Sequence, residues 1–168
     1  FDKTSLTLLS TFTSDGSDAN ATFDSSIITD AYDEYLFIFN SIHPQTDNTN
    51  LDFHPSIDNG SNYNIAKTTT FFNAEHNEDD SATNVYYSAG ADLAQGTGAQ
   101  RFNSDGIGAD ADQSISGIFR LYNPSSTTFV KHFAGNFNFS SAGNSSLNTF
   151  VAGYANTTSA VNNVKFQM

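Results

Sequence analysis

Residues 34–44 read Glu-Tyr-Leu-Phe-Ile-Phe-Asn-Ser-Ile-His-Pro and contain the strongest continuous apolar run in the chain: Tyr35, Leu36, Phe37, Ile38 and Phe39. Aromatic and branched side chains dominate the run, and it is too short for an ordinary helix. It predicts a strand buried on both faces and central in its sheet. Asn40 and His43-Pro44 close it, because proline has no N–H for a ladder and marks an edge or a turn.

The rest of the chain alternates around this run. Leu6, Leu8, Ser10 and Phe12 fall on one face of a half-buried strand over residues 5–13. A Ser-Asp-Gly-Ser-Asp turn at 14–18 and a return strand at 19–23 would complete a hairpin. Residues 25–32 read as a loop or a helical turn. Residues 51–55 alternate and stop at Pro55, and 58–62 form a strong turn signal. A long strand over 63–72 places Tyr63, Ile65, Lys67, Thr69 and Phe71 on one face. An acidic loop follows at 73–82 with Glu75, Glu78, Asp79 and Asp80, then a short strand at 83–88.

Residues 89–113 are irregular and Gly-rich, with one helical turn expected near 91–94. A loop this long is functional, an interface or a misread element. Its exposure and that of 73–82 make both expected contact surfaces. Residues 114–123 alternate, with Ile115, Phe119 and Leu121 facing one way and Ile118, Arg120 and Tyr122 the other. Further strands are expected at 129–139, at 148–156 with Phe150, Ala152 and Tyr154 inward, and at 161–168 with Val164, Phe166 and Met168 inward. Short strands, frequent turns and no helical period predict a single all-β domain over 1–168, an antiparallel β-sandwich of jelly-roll type.

Composition sharpens this picture. With 16 Phe, 7 Tyr and no Trp, phenylalanine must fill much of the core. The net charge of −12 argues against a nucleic-acid backbone or an anionic membrane as partner, since both need clustered Lys and Arg. It favours self-avoidance except where salt screens it. No Cys is present, so disulfides, thiolate catalysis and Cys-ligated zinc drop out. No stretch approaches the ~20 apolar residues of a membrane span. The chain starts at Phe1 and stops on an apolar alternation at Met168, which predicts a piece cut from a longer polypeptide.

Candidate chemistry is sparse. His43, His54, His76 and His132 lack the short spacings of metal ligands. Asp105, Asp110 and Asp112 are the best calcium candidates, sharing one Gly-rich loop, though without EF-hand order or its distal Glu. Asp15, Asp18 and Asn20 form a weaker set. Both sets read equally as solvated turns. A glycosidase would need two carboxylates about 5–10 Å apart across a cleft. Asp30, Asp33, Glu34 and Glu75 are available. Tyr86, Tyr87, Tyr122 and Tyr154 are candidate sugar-stacking rings or ordinary sheet packing. No nucleophile elbow, phosphate loop or dinucleotide fingerprint occurs, so no catalytic residue and no cofactor are assigned.

Three stretches carry a resemblance: residues 35–44, residues 116–133 (Ser-Gly-Ile-Phe-Arg-Leu-Tyr-Asn-Pro-Ser-Ser-Thr-Thr-Phe-Val-Lys-His-Phe) and Phe-Val-Ala-Gly-Tyr at 150–154. Together they resemble a family of virion-associated proteins of marine phages, from about Leu6 onward. The resemblance implies a kind of particle, with no reaction and no functional residues to carry across. It implies a tail-fibre, knob or capsid-appendage domain at the virion surface. The expected partners are further copies of itself, as a trimer, then other virion proteins and a host-surface glycan. A carbohydrate-binding sandwich is the alternative, and a glycan depolymerase ranks behind it.

Overall fold

The computed structural model describes residues 6–168, and these contain strands, turns and irregular chain without a helix. The strands are β1 (Asn20–Phe23), β2 (Glu34–Ile42), β3 (Asp52–Ser56), β4 (Lys67–Asn77), β5 (Thr83–Tyr87), β6 (Gln100–Arg101), β7 (Ile115–Tyr122), β8 (Lys131–Ser140), β9 (Ser145–Ala155) and β10 (Asn163–Gln167). They form a four-stranded sheet, β1-β10-β3-β6, facing a six-stranded sheet, β2-β7-β8-β9-β4-β5. Every pairing is antiparallel, and β1 with β10, β2 with β7, β3 with β6 and β4 with β5 nest like a rolled-up hairpin. That nesting is the expected jelly roll. The β8–β9 hairpin lies between β7 and β4 and widens one sheet.

Two features of residues 89–113 join the sheets. Phe102 is fully buried and stacks on Phe137 at 4.3 Å, amid Phe119 at 5.0 Å and Phe39 at 5.9 Å. Asn103 accepts from Leu51 N at 2.8 Å and donates to Asp105 O at 2.7 Å, so buried backbone groups have partners where the ladder stops. The segment is therefore in part a misread element, a core plug at Phe102, Asn103 and residues 106–108, while residues 94–98 and 110–112 stay largely exposed. In place of the helical turn there is a single turn, Ala91 N to Ser88 O.

The inner face of the wide sheet uses glycine to fit its rings. Gly117 pairs with Phe39 on one side and Phe137 on the other, and those two rings meet at 5.5 Å. A Cβ at Gly117 would lie 2.5 Å from the Phe137 ring and 2.4 Å from Asn136 O. Gly153 is equally closed, with 2.4 Å to Thr68 O.

Several expectations are corrected. The 35–39 run is not central: β2 is the edge of its sheet, with Tyr35 and Phe39 buried but Ile38 62% exposed. Residues 6–13 belong to no strand, and β1 pairs with β10, so the early hairpin does not form. Ser5, the first residue of that expected strand, lies outside the described residues. In β9 the inward residues are Leu147, Thr149 and Val151, while Phe150, Ala152 and Tyr154 face out. Thr149 fits inside because its hydroxyl donates to Phe102 O at 2.7 Å. Strand β3 runs through Pro55 to Ser56. Beside Pro55 it has β10 on one side only, because β6 pairs only with Asp52 and Phe53.

Candidate functional site

The outer face of the six-stranded sheet is the most distinctive surface. The registers align Ile38, Ile118, Asn136, Phe150, Phe72 and Tyr87 in one row crossing all six strands. At ~4.8 Å per strand the row is about 24 Å long. All its members except Asn136 are exposed large hydrophobics, Phe72 at 43%. Phe72 and Phe150 stack at 4.8 Å, and Tyr87 donates its phenol hydrogen to Asp92. Val85 beside Ala74 extends the apolar area on the β5 side and is 78% exposed. Asn136 and Asn138 hold the middle of β8, and both donate across to β9. The Arg120–Glu34 ion pair marks one corner.

A recess of about 310 Å³ opens on the same face, where the small Ala152 lies among Thr68, Thr70, His132 and Tyr154. The His132 and Tyr154 rings meet edge to face at 5.9 Å. A second depression, about 350 Å³, lies at one end of the sandwich between Glu78, Asp79, Gly143 and Asn144. It is polar, and the Glu78 N to Asn144 O hydrogen bond at 3.0 Å crosses it.

The calcium candidates do not converge. Among the described residues no group of three or more His, Cys, Asp or Glu is arranged to hold a metal, so Asp105, Asp110 and Asp112 form no ligand set. Asp105 accepts from Gly106 N at 2.9 Å, and the 110–113 turn is held by Gln113. In the weaker set, Asp15 accepts from both Ser17 N and Ser17 Oγ, which holds its carboxyl below the usual range, and Asp18 accepts from Asp15 N. Glu34 and Glu75 sit on β2 and β4, four strand spacings or about 19 Å apart, and do not pair across a cleft.

The histidines are dispersed. His43 Nδ1 lies 2.7 Å from Pro44 O, and His76 Nε2 lies 3.0 Å from Asp80. His54 packs against Tyr63 on the narrow sheet, and burial, with Lys165 and Lys67 nearby, pushes its pKa down to about 4. Of the tyrosines, Tyr87, Tyr122 and Tyr154 face outward on the wide sheet, and Tyr86 faces inward beside Asn73.

Two buried amines flank Ala155 on the inner face, Lys67 from β4 and Lys131 from β8. Among the described residues neither has a carboxylate partner: Lys67 donates to Ile65 O, and Lys131 to Phe129 O and Thr157 O. Burial lowers both pKa values, that of Lys67 to about 8. They serve as plugs for carbonyls at the open end of the sheet.

Sequence reasoning overlooked Phe72, Phe150 and Ile38 as surface residues. The available signal was apolar character at both parities of a strand, as in Phe71-Phe72 and in residues 35–39, which fits either a doubly buried strand or an apolar outer face. No family model, curated protein or solved structure matches the chain.

Proposed function

We propose that the chain is a structural domain of a phage particle, on a tail fibre, knob or capsid appendage, and that it works by self-association and attachment at the particle surface. The resemblance of residues 35–44, 116–133 and 150–154 to virion proteins supports the particle. The exposed row from Ile38 to Tyr87 is the observation that supports self-association. An exposed apolar row of this length, interrupted by Asn136, is the kind of surface that marks interaction sites in otherwise polar proteins. Six strands of five to eleven residues make a face of roughly 800–900 Å², near the ~800 Å² that each partner gives to a standard interface. The row carries no charge, so burying it costs no ion desolvation, and salt screens the −12 elsewhere. A trimer is the expected state.

Light scattering at seawater ionic strength tests the association, and antibody labelling of intact particles tests the location. A monomer at all concentrations overturns the first, and unlabelled particles overturn the second.

A non-catalytic carbohydrate-binding module is the second reading, favoured by the recess at Ala152 with its Tyr154 and His132 rings and Thr68 and Thr70 hydroxyls. Glycan-array binding abolished by Tyr154→Ala would promote it over the first.

A further inference from the structure

Residues 6–13 and strand β2 each lack what the other offers. Residues 6–13 run without a bend, and all of them are exposed, Leu6 and Leu8 each at 82%. Among the described residues none of them makes a backbone hydrogen bond. Yet Leu-Thr-Leu-Leu-Ser-Thr-Phe-Thr is strand-forming in composition, alternating and free of charge. An extended apolar segment of this kind gains nothing from lying in water.

Strand β2 is nine residues long and ends the six-stranded sheet, with β7 as its sole ladder partner among the described residues. Edge strands are normally shortened, charged or broken by proline. The other edges follow this: β1 has four residues, β6 two and β5 five. β2 holds no Lys, Arg or Pro, and its one charge is Glu34 at its start. Its bulge lies beyond Phe39, leaving residues 34–39 in regular register. The strongest β-forming run in the chain thus presents an open row of backbone donors and acceptors, with Leu36 and Ile38 at the end of the apolar face.

From this we infer that residues 6–13 form an exchanged arm, adding a seventh strand to the free edge of β2 on a second copy of this chain. Such an exchange presupposes the self-association proposed above and supplies its lock. Length matches, since eight residues at ~3.3 Å cover the regular part of β2. Charge matches, because in a chain of net −12 both segments are nearly neutral and two copies meet there without repulsion. Position matches too: Phe23 of β1 lies 5.4 Å from Phe37 of β2, so the arm leaves the body on the side where that edge lies. The turn that roots it is held by Asp15 and Ser17, with Gly16 at φ +90°. Among the described residues the arm makes no ladder with its own β2, which leaves that edge open to a neighbour.

The absence of cysteine makes the test clean. Full-length Leu8→Cys chains are mixed and co-refolded with differently tagged chains carrying Leu36→Cys, Ile38→Cys or Asn40→Cys, then oxidised. A disulfide between the two tags is expected for at least one pair. Leu8→Pro, which removes a ladder donor, should weaken self-association about tenfold or more, and Ile38→Lys should do the same from the acceptor side, both with unchanged melting. A Leu8→Pro oligomer as tight as the parent overturns the exchange and leaves self-association standing. In a chain carrying both Leu8→Cys and Ile38→Cys, a disulfide that forms only within the chain, with none between the two tags in the mixture, overturns it in favour of an arm folded onto its own edge. A parent protein that stays monomeric overturns the exchange and the self-association together.

Discussion

Across the six-stranded sheet the outward row reads Ile38, Ile118, Asn136, Phe150, Phe72 and Tyr87, while across the four-stranded sheet it reads Thr22, Lys165 and His54. Both rows sit on the same phenylalanine core. The narrow sheet is finished by its own chain: Lys165 Nζ stands 4.4 Å over the Tyr63 ring, His54 meets that ring at 5.9 Å, and the Tyr63 hydroxyl donates to Asn163 at 3.0 Å. Nothing among the described residues finishes the wide sheet in this way. One face is sealed within the chain by a tyrosine, a cation and hydrogen bonds. The other keeps its rings and branched side chains in water, as an interface does before its partner arrives.

The sharpest way to break the comparison is to remove what both faces share. Phe102→Ala should cost about 3–5 kcal/mol in urea denaturation, because the ring fills the space between the sheets and its loss leaves a cavity. A near-parental midpoint would mean that Phe102 is not a core plug. Next comes Lys67, whose pKa near 8 lies below the 10.5 of an unfolded lysine. The unfolded chain keeps that proton up to pH 10.5 and the folded one loses it near 8, so stability should rise with pH across this window. The gain should be on the order of 3 kcal/mol, with Lys67→Met showing a smaller rise over the same range.

Phe72→Asp should leave thermal stability within about 1 kcal/mol and weaken self-association about tenfold or more by sedimentation. Thr22→Asp, the matched change on the narrow sheet, should alter neither. Equal effects of the two would erase the distinction between the faces. Finally, His54 stays neutral in the folded state to about pH 4, whereas the unfolded residue titrates near 6.5. The unfolded state therefore binds the extra proton first, and stability should fall as pH drops from 6.5 towards 4. In a pH series of thermal melts, His54→Gln should show a smaller fall.

Much of this molecule was legible as pattern. Alternation located β5, β7, β8 and β10, and for β7 it separated Ile115, Phe119 and Leu121 from Ile118, Arg120 and Tyr122 correctly. It located β4 in part: the strand starts at Lys67, not Tyr63, and runs past Phe72 to Asn77, into the expected acidic loop. It failed for β9, where Thr149 is inside and Phe150 outside: period 2 defines two faces but does not name the buried one. It failed for β2 because burial on both faces and exposure of an apolar face leave the same string of residues. The surface row was illegible for a related reason, since its members come from six strands scattered between residues 38 and 150 and only ladder register aligns them.

By itself, then, the sequence determined the class: short alternating segments, turn residues between them, no helical period and enough phenylalanine for a core without disulfides. Those are local properties, set by backbone preference and by the apolar pattern within each segment. Tertiary structure alone decided that the most apolar strand lies at an edge, that a Gly-rich segment carries Phe102 into the core, that β8 and β9 widen one sheet, and that residues 6–13 stand apart unpaired. Each of these depends on which strands are neighbours. Pairing between residues far apart in the chain is a competition among many partners of similar local propensity, resolved only when the whole core packs.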